Sequence, residues 1–144
     1  MDTLGSLVDK LSIIELKIHH SDDAVKRESL AGQRERLLAE IDEFVSTAIA
    51  NPNMTLTNPA NKVYATGADF AQEHASTLAG LVSELVTANI RMWHIQEIMY
   101  DRKALEAYSK EEMLDLLIRQ ARQNTERNYA IDALDAHFAG LLND

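Results

Sequence analysis

The stretch 69–103, DFAQEHASTLAGLVSELVTANIRMWHIQEIMYDRK, decides the fold of this chain. Its seam positions recur at alternating intervals of four and three residues, which is the spacing of one face of an α-helix. These positions are His74, Leu78, Leu81, Leu85, Ala88, Met92, Ile95 and Met99. At 1.5 Å per residue, the pattern predicts a helix about 50 Å long.

Three further stretches carry helical periodicity. A first helix ends near His20, and Ser21, followed by two aspartates, predicts the start of a second helix that ends near Asn51. Ser109 and Glu112 form a capping box for the last helix. The seam predicted for that helix consists of Leu114, Leu117, Ala121, Asn124, Asn128, Ile131, Asp135, Phe138 and Leu142.

The connections between these helices set the architecture. Residues 51–68 concentrate Asn, Thr and both prolines, so we expect one long loop there. The other two connections are short, and short connections favour antiparallel neighbours. The sequence therefore predicts a single all-α domain over residues 1–144, an antiparallel four-helix bundle in which the long loop joins two helical hairpins.

Composition narrows the class of protein. The chain has no cysteine, which excludes disulfides, thiolate metal sites and cysteine nucleophiles. A net charge of −9 opposes binding to nucleic acid or to anionic lipid. The N-terminal segment carries an aspartate where a signal peptide needs positive charge, and no apolar run reaches the length of a membrane span. We expect a soluble, acidic, cytoplasmic protein without a cofactor.

Polar residues interrupt the predicted seams. Asn124, Asn128 and Asp135 occupy core positions of the last helix, and Arg34 does so in the second. Counting outward from the Ser109 turn places Asn89 opposite Asn128. Such residues can form a structural polar layer that fixes register, or a pocket whose groups converge on a small polar ligand, or they can face solvent.

A second group of residues has the chemistry of a metal or acid–base site. Glu15 and His19 are four residues apart on helix one, and His94 and Glu97 are three apart on helix three, with Asp101 four residues further. Imidazole and carboxylate together suit a divalent metal. Carboxylate-bridged bundles, however, use a Glu-x-x-His order on two helices, which this chain lacks. A solvated, ion-paired face is the commoner origin of this spacing.

Trp93, the only tryptophan, lies beside the seam of helix three. A tryptophan in that place more often packs half-buried than offers a stacking surface to a ligand.

Three separated motifs resemble a known family. They are DKLSIIELKIHH at 9–20, NIRMWHIQEIMYDR at 89–102 and ERNYAID at 126–132. Together they resemble a small all-helical bacterial family of unknown function whose members are often encoded near cell-envelope glycosyltransferases. The resemblance implies a helical fold and an association with surface-polysaccharide assembly, and it supplies no reaction. The family often has an acidic pair after the tryptophan, where this chain has His94, Ile95, Gln96 and Glu97.

The leading hypothesis from the sequence is a binding or accessory module that recognises a small polar ligand or a glycosyltransferase-type partner enzyme. Its candidate ligand-binding residues are Arg34, Asn89, Trp93, His94, Glu97, Asp101, Arg102, Asn124, Arg127 and Asn128. One alternative is a hydrolase or transferase that uses His94 and Glu97, with or without a metal. Another is a structural homo-oligomer formed through a second apolar stripe on helix three, made of Ile90, Ile98 and Leu105.

Overall fold

The computed structural model describes residues 2–52 and 72–143. These residues form five α-helices and no strand, so the predicted all-α class is confirmed. The helices are α1 (Leu4–His20), α2 (Ala24–Ala50), α3 (Leu78–Met99), α4 (Arg102–Glu106) and α5 (Lys110–Asn143). Of the loop predicted over 51–68, all but the first two residues lie outside the described part of the chain.

Side-chain caps determine where the helices begin. Thr3 and Ser6 form a capping box at the start of α1, where each side-chain oxygen accepts the other residue's backbone N–H. Asp23, rather than the predicted Ser21, caps α2, because its Oδ1 accepts the N–H groups of the second and third helical residues at 2.9 and 3.2 Å. The capping box predicted for Ser109 and Glu112 is confirmed, with hydrogen bonds of 3.0 and 3.1 Å.

The helix predicted over 69–103 is shorter in the structure. Thr77 caps its start, and the helix ends at Met99. Asp101 then accepts the Ala104 N–H at 3.1 Å and begins the separate short helix α4. His74, predicted to lie in the seam, precedes the helix, and its Nδ1 lies 2.9 Å from Glu84 Oε2. Both boundaries are set by capping side chains, which the periodicity of the apolar residues does not reveal.

Contacts between distant residues give the directions of the helices. Gly5 lies against Asp135 and Asp9 lies near Arg127, so α1 and α5 run antiparallel. Asn89 bonds to Asp9 and Ser12 of α1. Trp93, one turn further along α3, stacks on His20, which also lies further along α1, so α1 and α3 run in the same direction. Helix α2 returns antiparallel along α1.

The core lies at the end of the molecule where α1 begins. Leu81, Leu85 and Leu134 are its largest fully buried side chains. Helix α2 joins them through Ala48, which has no exposed surface, and through Phe44, whose ring centroid lies 6.3 Å from that of Phe138.

One long-range bond fastens the start of α1 to α5. Buried Asp135 accepts the Gly5 backbone N–H at 2.7 Å, which places a carboxylate at the positive end of the α1 dipole. Asp135 was predicted as a polar break in the seam, and this bond accounts for it. Within the described ranges, none of the helices is both long and apolar enough to cross a membrane.

The predicted seam of α5 is wrong in its first half. Leu114 and Leu117 are 51% and 54% exposed, whereas Leu116 is 3% exposed and faces the rest of the molecule. The second half agrees better, since Ile131 and Phe138 are buried as predicted. Two faces of this helix carry leucines at helical spacing, and spacing alone does not say which of them packs inward.

Candidate functional site

The polar side chain of Asn89 is buried and satisfied. Its Nδ2 donates to Asp9 Oδ1 at 2.9 Å and to Ser12 Oγ at 2.6 Å, and only 4% of the residue is exposed. Both acceptors lie on α1. Because an unpaired buried amide is unfavourable, these bonds hold α3 to α1 in one register.

Arg127 brings α5 to the same cluster. Its Nε lies 3.9 Å from Asp9 Oδ1, a separation that fits an ion pair but is too long for a hydrogen bond. The Arg127 and Asp9 side chains are 25% and 14% exposed, so solvent screens this pair only partly. Asp9, Asn89 and Arg127 therefore link three helices, and we name them, with Ser12, the polar cluster.

The sequence placed different residues in this layer. Asn128 Nδ2 donates to the Asn124 carbonyl of its own helix at 2.9 Å and Asn89 donates to α1, so no hydrogen bond described in the structure joins Asn89 to Asn128. Arg34 pairs with Glu15 and lies 3.7 Å from Glu35, which gives it partners outside the polar cluster. The structure thus brings Asn89 and Arg127 together at Asp9, whereas the described contacts of Arg34 are with glutamates and Asn124 and Asn128 bond to each other.

The histidines and carboxylates predicted near the Trp93 level form an exposed group. Glu97 Oε1 lies 3.7 Å from both His20 Nε2 and His94 Nδ1. The Glu97 and His94 side chains are 52% and 67% exposed, a setting in which water screens ion pairs strongly. His20, absent from the predicted set, is the histidine of α1 that lies beside Glu97.

The remaining candidates lie apart from this group. Asp101 serves as the cap of α4, and Arg102 is exposed, with its Nε 3.3 Å from Glu106. Glu15, predicted as a weak metal candidate with His19, is held by Arg34 instead. Among the residues that the structure describes, no three His, Asp or Glu side chains are arranged to hold a metal ion.

An open cleft lies where α1 ends and α2 begins. Its volume is about 470 Å³. Trp93 of α3 forms one side, and α1, the turn and α2 form the others. The lining residues are Lys17, His20, Ser21, Lys26, Ser29, Leu30, Gln33 and Trp93.

Two stacked rings form a wall of this cleft. The His20 imidazole and the Trp93 indole have centroids 4.8 Å apart and planes inclined by 28°. His20 Nδ1 lies 2.8 Å from the Leu16 carbonyl oxygen, which fixes the imidazole at the end of α1. Within the described residues, the Trp93 Nε1 atom is buried and has no hydrogen-bond partner. A buried indole N–H usually has one.

The charged residues that line the cleft are basic, although the protein is acidic. Lys17 and Lys26 line it, and no lining residue that the structure describes carries a carboxylate, although the whole chain has a net charge of −9. Two neighbouring acids have contacts of their own: Asp23 caps α2, and Glu97 Oε1 lies 3.7 Å from His20 Nε2.

Sequence reasoning identified only Trp93 among these residues. The sequence signal for the others is a pair of lysines, Lys17 and Lys26, on either side of a turn that follows two histidines. These side chains come close together only after α2 folds back on α1. The prediction for Trp93 was half-buried packing, and its intermediate exposure agrees with that.

Comparisons of the chain with protein-family models, with curated proteins and with solved structures found no match.

Proposed function

We propose that this protein is a binding module that takes a small anionic ligand with a flat or weakly polar face, such as a phosphorylated or carboxylated sugar, in the cleft at the α1–α2 turn. The polar cluster around Asn89 has an architectural role in this proposal. The ligand-binding role moves to the cleft, and of the residues predicted from sequence only Trp93 keeps it.

The chemistry of the cleft supports this ligand class. Lys17 and Lys26 supply positive charge for a phosphate or carboxylate, and the ammonium group binds such anions as a mobile point charge. The indole and imidazole faces suit a ring that presents C–H groups, and Ser21, Ser29 and Gln33 add donors and acceptors for hydroxyls.

One observation carries the proposal: in a strongly acidic protein, the described residues that line the cleft include two lysines and the only tryptophan but no carboxylate. The exposed His94 and Glu97 offer no comparable enclosure for catalysis.

The test is a titration that follows the fluorescence of Trp93, the only tryptophan and hence an unambiguous reporter of the cleft. Glucose 6-phosphate and glucuronate are expected to change the emission saturably, whereas neutral glucose is not. Added salt should weaken the response to the anions, because the lysines are exposed and screened.

Two variants separate binding from general charge effects. Lys17→Gln and Lys26→Gln should each weaken binding by about two- to fivefold, since an exposed ion pair contributes roughly 0.5–1 kcal/mol. Lys103→Gln, an exposed lysine outside the cleft, is the matched control and should leave binding unchanged. Equal responses to glucose and glucose 6-phosphate, or equal binding by all three variants, would refute the proposal.

A link to surface-polysaccharide assembly is part of the same proposal. The resemblance of three motifs supports this link. A sugar-like ligand in the cleft would also be consistent with it. A glycosyltransferase-type partner enzyme would then receive or deliver such a ligand.

A further inference from the structure

The first half of α5 exposes a row of large apolar side chains. Met113, Leu114, Leu117 and Ile118 are between 40% and 65% exposed, while Leu116 on the opposite side is buried. A contiguous apolar patch of this kind marks an interaction surface more often than an isolated exposed leucine does. Of the stripe predicted on helix three, in contrast, only Ile90 is exposed, while Ile98 and Leu105 are half-buried.

Two residues of the exposed row, Leu114 and Leu117, belong to a series of positions with the spacing of a helix-pairing seam. Positions 110, 114, 117, 121, 124 and 128 alternate by four and three residues, and Leu114, Leu117 and Ala121 form its centre. Knobs-into-holes packing against another helix requires this spacing. Helix α5 already packs into the core through another face. Its exposed heptad seam therefore fits a second helix from outside the fold.

The distribution of charge along this segment favours a copy of the same helix, placed antiparallel. Glu111, Glu112 and Asp115 lie toward the N-terminal end, and Arg119 and Arg122 toward the C-terminal end. With Lys110 included, the segment 110–122 carries no net charge in a protein of net charge −9. Two such segments can approach without repulsion, and antiparallel pairing sets the acidic end of each beside the basic end of the other.

We infer that two copies of this protein associate through the first halves of their α5 helices, paired antiparallel about a two-fold axis near Leu117. In such an isologous interface the same face of both copies is buried. Placing the axis between residues 116 and 117 brings Glu111 level with Arg122 of the second copy. Leu117 then lies next to its own counterpart, and Leu114 packs beside the axis.

Cysteine scanning tests both the surface and the direction, because the chain has no cysteine of its own. Under mild oxidation Leu117→Cys is expected to form a disulfide-linked dimer. Lys110→Cys lies on the same seam but about 20 Å along the helix from its counterpart in the antiparallel pair, too far for a disulfide. A parallel pair would cross-link at both positions.

Leu141→Cys is the matched control, since Leu141 is 53% exposed on the same helix but outside the seam. The inference is supported if only Leu117→Cys cross-links. Cross-linking of Lys110→Cys as efficiently as Leu117→Cys overturns the antiparallel arrangement, and no cross-linking at either position, or equal cross-linking at position 141, overturns the interface.

Mass measurement gives an independent readout. The unmodified protein is expected to have twice its 16.1 kDa chain mass by light scattering, with a dimer fraction that rises with concentration. Leu117→Glu should yield monomers with unchanged helix content, and Leu141→Glu should remain dimeric. A monomer mass for the unmodified protein at high concentration would contradict the inference. Neither readout depends on the cleft or its ligand.

Discussion

Replacing Asn89 by leucine tests the architectural role of the polar cluster. The substitution removes a hydrogen bond to a carboxylate oxygen at 2.9 Å and another to a hydroxyl at 2.6 Å, and leaves Asp9 with Arg127 at 3.9 Å. A hydrogen bond to a charged group contributes about 1.5–3 kcal/mol and a neutral one about 0.5–1.5 kcal/mol. Burial of the apolar leucine side chain offsets part of this loss, so we expect Asn89→Leu to lower the free energy of unfolding by about 1–3 kcal/mol.

Urea denaturation followed by circular dichroism measures this change, and for a domain of this size the midpoint of thermal unfolding should fall by roughly 3–12 °C. Asn128→Leu is the matched control, because Asn128 bonds only within its own helix at the surface, and its effect should stay below about 0.5 kcal/mol. A double-mutant cycle with Asp9→Ala should show coupling with Asn89. The reasoning is refuted if Asn89→Leu is neutral or stabilising, or if Asn128→Leu is the more damaging change.

Two further predictions concern backbone fit and pH. A Cβ at Gly5 would lie 2.7 Å from the Ile131 carbonyl oxygen and 2.9 Å from Asp135 Oδ1, so Gly5→Ala should destabilise the protein by about 1–3 kcal/mol. Gly32 is exposed in a helix and a Cβ there would meet nothing within 4 Å, so Gly32→Ala should stabilise the protein by about 0.5–1 kcal/mol. Denaturation curves in which both substitutions change the stability in the same direction would contradict this. The backbone N–H of Ser109 lowers the pKa of Glu112 below its ordinary value. A carboxylate whose pKa is lower in the folded state stabilises that state above its unfolded pKa, and the contribution disappears as the pH falls through the folded value. Helix content measured against pH should therefore differ between the unmodified protein and Glu112→Gln at neutral pH and converge in acid, and a gap that is unchanged in acid would contradict the assignment.

Local signals in the sequence predicted the helices well. The Ser109 box, the end of α1 at His20 and the all-α class depend on side chains and backbone within a few residues of each other, and the structure confirms them. The break at Asp101 is also local, but an aspartate within a regular apolar pattern gives no sign by itself that it caps a new helix.

The buried face of each helix and the register between helices were harder to predict, because they depend on which of several helix surfaces packs inward. Leu114 and Leu117 continue the heptad spacing that Ile131 and Phe138 follow, so one seam seemed to run the length of α5. The inward face of the first half instead carries Leu116 among polar residues, a pattern typical of a solvent-exposed face. For the same reason Asn89 was paired with Asn128 rather than with Asp9 and Ser12.

The cleft could be predicted only in part. Trp93 stood out as a rare residue among ionisable groups, but the lysines that face it lie on two helices whose relative position follows from the turn at Ser21 and from packing of α2 on α1. No residue pattern in one segment contains that information.

The resonance of the single indole N–H tests the central claim most directly. In a ¹H–¹⁵N correlation spectrum of the labelled protein, Trp93 gives the only indole signal and needs no assignment. Glucose 6-phosphate is expected to shift this signal saturably, and Lys17→Gln combined with Lys26→Gln should weaken the shift strongly, whereas Lys103→Gln should not. An indole signal that stays in place while glucose 6-phosphate is raised to saturating concentration, or one that moves equally in the cleft and control variants, would contradict the assignment of the cleft as the binding site.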